Sequence, residues 1–193
     1  MKDSEIKYKV LRRNEFTDGH YVLQPVRYED MEQIRQWRNA QMSVLRQSTE
    51  LSVIDQETYF EKVIKPSFSD SKTKTLLFSL FKNKELIGYG GLVNISWKDK
   101  RAEMSFLLDP KRLKDNSSYR QDMTHFIHLI KVVVFEEMQF NRLFAETFSF
   151  RTFHISILES NGFVEEGILR QHIMESGQYY NSIMHGMVTG DLQ

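Results

Sequence analysis

The chain has 193 residues, 40% of them hydrophobic, which is enough apolar mass for one core. Lys plus Arg and Asp plus Glu both number 26, and that balance gives no support to non-specific nucleic-acid binding or to docking on an anionic membrane. The absence of cysteine excludes disulfides, zinc–thiolate sites and thiol nucleophiles, and no apolar run approaches the ~20 residues of a membrane helix.

One domain over 1–193 is expected, with 1–18 as an N-terminal extension that adds a strand at Ile6 to Arg12. Met1 to Asn14 is charged and holds no apolar stretch of signal-peptide length, so a cytoplasmic protein is expected. Asp18-Gly19 signals a turn before a strand at Tyr21 to Val26. Asp30, with Gln33 as a capping-box partner, predicts a helix whose apolar stripe is Met31, Ile34 and Trp37. A second helix is read from Asp55 to Ile64, stopped by Pro66.

The period then shortens. Thr75 to Phe81, Leu86 to Ile95 and Ala102 to Leu108 read as a three-strand antiparallel meander, with turns at Lys82-Asn83-Lys84 and Lys98-Asp99-Lys100. Gly88, Gly90 and Gly91 lie inside a strand, so close packing is the better reading than a phosphate loop. A long helix follows with Met123, Phe126, Ile127, Ile130, Val133 and Val134 at helical spacing. Ser118 with Gln121 offers it a capping box. His125 and His128 share one face of that helix without a third metal ligand in sequence, so no metal is expected. Leu143 to Phe148 is a strand, Thr152 to Ser160 a helix, and Phe163 to Gln171 and Tyr180 to Val188 are strands.

Within the last segments, Gly162 is placed to end a helix in the left-handed conformation, with Phe163 folding back on the final turn. The run from Phe153 through Asn161-Gly162-Phe163 to Glu165-Glu166-Gly167-Ile168-Leu169-Arg170 resembles the closing segment of the GNAT superfamily of N-acetyltransferases. The likeness is to the branch of ribosomal-protein N-terminal and nucleotide-amino-sugar N-acetyltransferases. The element order from Tyr21 to Val188 agrees with it. The resemblance implies a mixed α/β GNAT fold, with a mostly antiparallel sheet splayed between its fourth and fifth strands and helices on both faces.

It also implies acetyl-CoA as co-substrate and a primary amine as acceptor. Glu103, in Arg101-Ala102-Glu103-Met104-Ser105-Phe106, is then the general-base candidate, because acetyl transfer needs a neutral amine; a structural pairing with Arg101 or another basic side chain is the competing reading. The backbone of Phe106, Leu107 and Leu108 would receive the thioester end, on a strand that bulges away from its neighbour. Asn116, Ser117, Ser118 and Tyr119 stand where the family has its glycine-rich pyrophosphate turn. Asn116 tolerates the left-handed backbone, and Lys111, Arg112 and Lys114 add charge. Arg151 occupies the place of a cofactor-contacting asparagine, to serve the pyrophosphate or to block the groove. Leu158 replaces a tyrosine acid, leaving Ser156, His154 and Tyr119 as candidates. Trp37-Arg38-Asn39 resembles the branch's acceptor-side tripeptide, Arg38 offering a planar fork for phosphate or carboxylate, with core packing and helix capping as the alternative.

The acceptor read from this is a small amine such as a nucleotide-linked amino sugar. A protein N-terminus is the alternative, as is a non-catalytic scaffold that has lost the phosphate turn. A homodimer is allowed; no nucleic acid or membrane partner is expected.

Overall fold

A computed structural model describes residues 6–192. The first five residues of the expected extension lie outside the described residues. One eight-stranded sheet runs in the order β1-β2-β3-β4-β5-β6-β8-β7. Its strands are β1 (Phe16–Asp18), β2 (Tyr21–Pro25), β3 (Leu76–Lys82), β4 (Glu85–Ser96), β5 (Arg101–Leu108), β6 (Arg142–Phe148), β7 (Val164–Glu175) and β8 (Gln178–Val188). Every neighbouring pair is antiparallel except β5 and β6. The sheet is therefore mostly antiparallel, as a GNAT fold requires.

Local chemistry explains most of these elements. Asn83 and Lys84 both take positive φ, which gives the tight β3–β4 hairpin. Gly90 and Gly91 are packing positions, since a Cβ on Gly91 would lie 2.0 Å from the Leu76 carbonyl oxygen. α5 (Thr152–Ser160) closes as its sequence predicts: Gly162 has φ +91°, and the Phe163 amide returns to the Leu158 carbonyl. α4 (Asn116–Lys131) packs Met123, Phe126, Ile127 and Ile130 into the core formed with β3, β4 and β5. α1 (Met31–Asn39) seals a second cluster on the other face with Ile34, Trp37, Leu77 and Tyr89. Among the described residues no helix is long and apolar enough to cross a membrane.

Three local expectations fail. Ile6 to Arg12 forms no strand; Tyr8 plugs the core instead, its hydroxyl donating to the Leu77 carbonyl and accepting from the Leu77 amide. The helix expected from Asp55 begins earlier, as α2 (Val53–Tyr59), capped by Ser52 with Asp55 returning the hydrogen bond. It does not stop at Pro66. A widened π turn at Phe60–Ile64 carries it into α3 (Lys65–Ser67), and that wider turn relieves the clash a proline ring makes with an ordinary α-helix. Asp30, finally, caps nothing through Gln33. It is buried and accepts from Arg27 and Ser79.

Candidate active site

The parallel ladder between β5 and β6 has three register pairs, Arg101↔Arg142, Ala102↔Leu143 and Glu103↔Phe144. Beyond Glu103 the two strands part. The gap is a cavity of about 200 Å³ lined by Arg38, Arg46, Glu103, Phe106, Glu146 and Arg151, among others. The expected bulge is on the other strand. β5 runs without irregularity, and the register slips in β4 between Val93 and Ser96. That slip puts Asn94 at φ 50° and turns its amide toward Glu103.

Glu103 sits where the strands part and is 7% exposed. Its carboxylate accepts from Asn94 Nδ2 at 2.7 Å and from Arg46 Nη2 at 2.8 Å. Arg101, the sequence-level partner, lies 3.7 Å from Asp99 instead. Arg46 Nη2 also donates to Glu146 on β6, at 2.5 Å. One guanidinium nitrogen therefore bridges the two lips of the cleft. The 40–52 segment that carries it is tied down by Asn39, whose side chain pairs with the Leu51 backbone and accepts from Gln47.

Trp37 is buried in the second core cluster and Asn39 is committed to that segment, so neither lines the cleft or the cavity that adjoins it. Arg38 does. It borders both the cleft and an adjoining cavity of about 320 Å³ whose wall includes Asp55, Tyr59 and Tyr89. Its partners are neutral, Gln47 Oε1 at 3.0 Å and the Tyr89 hydroxyl at 2.8 Å.

The phosphate end departs furthest from expectation. Residues 110–114 form a 3₁₀ turn, and α4 begins at Asn116 with Asp115 as its cap. The Asp115 carboxylate takes the amides of Ser117 and Ser118, together with the Ser118 hydroxyl. So Ser118 is not the cap. Asn116 is helical rather than left-handed, because the sharp turn it was to supply does not exist. Arg112 is drawn into a buried ion pair with Asp122, which also accepts from Tyr21 and Lys82, and is not aimed at a phosphate. Phe106 lines the cleft, whereas Leu107 and Leu108 are buried and the Leu108 carbonyl accepts from Gln41.

What the end expected to take the phosphates does have is a cation. Arg151 precedes α5 and lines the cleft, with its nearest polar partners the Tyr119 hydroxyl at 3.4 Å and His154 Nδ1 at 3.3 Å. No carboxylate pairs with it among the described residues. Burial pulls its guanidinium below the ordinary value, with Tyr119 acting in the opposite sense. Burial, then the Arg151 charge, then His185 push His154 well below the usual imidazole range, so its ring is neutral. Burial raises the Tyr119 hydroxyl, which stays protonated and donates to His154 Nδ1 at 2.6 Å.

Arg46, Asn94 and Glu146 were not singled out in the sequence. Glu146 had a faint signal, since Arg142, Phe144 and Glu146 alternate with Leu143, Ala145 and Thr147 and so share the face opposite the core. Arg46 had none. His125, paired with His128 in the sequence reading, reaches Asp18 at 2.6 Å and stacks on Tyr21.

Comparison with known proteins bears on this geometry. The family model described as "Acetyltransferase (GNAT) domain" matches residues 23–184. No curated protein sequence matches. Among solved structures, spermidine N-acetyltransferase from Vibrio cholerae, in complex with CoA and spermine, superposes with a TM-score of 0.77 at 18% identity, over 90% of this chain and 98% of that one. A dodecameric structure of the same enzyme in an intermediate state gives 0.73 at 17% identity, over 90% and 96%. A protein described as a probable acetyltransferase gives 0.71 at 16%, over 92% and 98%. At these identities the likeness is one of fold.

Proposed function

The chain belongs to the GNAT family of N-acetyltransferases, and on that premise we propose that it transfers the acetyl group of acetyl-CoA to the primary amine of a small molecule, by direct attack in a ternary complex. The observation that carries this reading is the parting of β5 and β6 directly beyond a buried glutamate. A strand edge freed from its ladder has backbone groups available for a thioester arm, and a carboxylate at the apex can take a proton from an ammonium.

Glu103 would be that base, directly or through a water. Phe106 and the backbone onward to Leu107 and Leu108 would hold the thioester end. Arg151 would meet the pyrophosphate as a charge-assisted donor. The start of α4, at Asn116, Ser117, Ser118 and Tyr119, would contribute backbone amides once the Asp115 carboxylate gives up the ones it caps. The residues present fit the thioester end well, and the phosphate end through Arg151 more than through a glycine turn. Protonation of the leaving thiolate by solvent is adequate.

For the acceptor, Glu103 and Glu146 facing one gap favour an aliphatic amine with more than one positive charge, and the fold neighbours that act on spermidine support that class. A nucleotide-linked amino sugar is the second reading. The observation favouring it is Arg38, which borders both cavities with neutral partners only, as a phosphate-binding arginine would. A homodimer is supported by β7, where Val164, Ile168, Leu169 and Met174 are exposed on an edge strand.

A thermal-shift titration with acetyl-CoA, followed by thiol release over a panel of polyamines and UDP-amino sugars, tests the reading. Stabilisation by acetyl-CoA and acetylation of one panel member are expected. No shift and no thiol release would leave a scaffold with a GNAT fold.

A further inference from the structure

Glu146 is the least satisfied acidic group of the cleft. Its side chain is 12% exposed. One carboxylate oxygen, Oε2, receives Arg46, while Oε1 is buried with no hydrogen-bond partner among the described residues. The His172 ring comes within 3.7 Å of Oε1 through Nε2, beyond hydrogen-bonding reach. Across the gap, Glu103 Oε1 shares the same Arg46 nitrogen. Two carboxylates thus converge on one N–H-bearing nitrogen, and a further carboxylate oxygen beside it still lacks a donor. A guanidinium nitrogen donates two N–H groups and is spent on the two bonds present. A primary ammonium donates three.

We propose that Glu103 and Glu146 together form the seat of the acceptor's ammonium, that Glu146 is a specificity-determining residue for amines carrying a second charge, and that Arg46 occupies the seat as an internal stand-in that the acceptor must displace. This inference rests on the acetyltransferase reading for its catalytic meaning, though not for the binding it asserts. The charge count agrees: once Arg46 has swung out, the two carboxylates present two negative charges, which a diammonium neutralises and a monoammonium does not. The placement of Arg46 agrees as well. Half of its side chain is exposed, and it sits on an irregular segment outside the sheet, so it can swing out while Asn39 keeps its grip on Leu51. A seat filled by the chain's own cation lowers apparent affinity by the fraction of time it stands open.

The test is calorimetry of putrescine and of butylamine against the intact protein, with acetyl-CoA titrated separately. Arg46→Ala should tighten putrescine by roughly 5- to 20-fold, matching a seat open about 5–20% of the time, and should leave acetyl-CoA binding unchanged. Glu146→Gln should weaken putrescine by roughly tenfold, butylamine by less, and should erase most of the gain from Arg46→Ala in the double variant. Weaker or unchanged putrescine binding in Arg46→Ala would overturn the stand-in, and equal loss of both amines in Glu146→Gln would overturn the specificity role. Because binding is read directly, tightening in Arg46→Ala without any acetyl-CoA binding would keep the seat and remove the transferase reading instead.

Discussion

The two ends of the cleft are charged in opposite senses and are satisfied to different degrees. At the acceptor end two carboxylates meet, and the chain supplies a cation from a distant segment to hold them together. At the phosphate end a half-buried arginine lies among neutral groups, and the nearest carboxylate on the helix start, Asp115, is spent on backbone amides. A self-neutralised site resists its ligand until something moves. A cation without a counter-charge gains from its ligand at once, because burial has already removed part of its hydration. The comparison teaches an order: the anionic co-substrate should bind first and unaided, and the cationic acceptor second, against competition.

The largest effect should come from the acceptor end. Glu103→Gln should lower kcat by about 10²–10⁴-fold while acetyl-CoA affinity stays within a few-fold, measured by steady-state kinetics and calorimetry. Normal turnover at neutral pH would take Glu103 out of the chemistry and leave it as the anchor of Arg46 and Asn94. At the other end, Arg151→Met should weaken acetyl-CoA by about 10- to 100-fold. Tighter binding in that variant would show that Arg151 blocks the groove and would reverse the comparison.

His154 sharpens the contrast through pH. Its folded pKa lies well below the usual value near 6.5, chiefly through burial and then through Arg151. The unfolded chain therefore binds the proton first, so the group's contribution to stability is complete above about pH 6.5 and is lost as pH falls below it, by up to about 1.4 kcal/mol per unit. Denaturation at stepped pH should show this slope, and His154→Gln should flatten it. An unchanged slope would mean the imidazole is not held neutral against Arg151. The smallest effect concerns the cap. Asp115→Asn leaves one acceptor oxygen where the carboxylate uses two for the amides of Ser117 and Ser118, and removes a negative charge from the helix start. It should tighten acetyl-CoA by roughly 2- to 5-fold, less at high salt. No change at low salt would place the phosphates away from α4 and on Arg151 alone.

The parts legible in the sequence were those whose cause lies within a few residues. Gly162 and Phe163 closed α5 as read, and Asn83-Lys84 fixed the β3–β4 hairpin. The start of α4 departs from expectation because Asp115 competes with Ser118 as the cap: an aspartate ahead of Asn116-Ser117-Ser118 is as good a cap and sits where the helix starts. The strand expected at Ile6 to Arg12 had alternation without a partner, and Tyr8 found a core position instead. Arg46 was out of reach for a different reason. Its two carboxylates lie 57 and 100 residues away along the chain, and no local pattern encodes a contact of that span. The site is thus less legible than the fold: strands and helices are written in periodicity, whereas the charge that fills the cleft is written in tertiary distance.

The short β5–β6 ladder has a mechanical consequence. With three rungs joining five strands on one side to three on the other, the sheet is two leaves on a narrow hinge, and the ligand cleft is the angle between them. Any molecule lodged there acts as a wedge whose thickness the hinge must accommodate. Arg46, clasping both leaves through Glu103 and Glu146, is the strap across the open edge. Arg46 then adds to the stiffness of that edge, and hydrogen exchange at the rung amides around Ala102 and Leu143 would register the strap's release as a loosening confined to that line, while the amides of the β3–β4 hairpin stayed still.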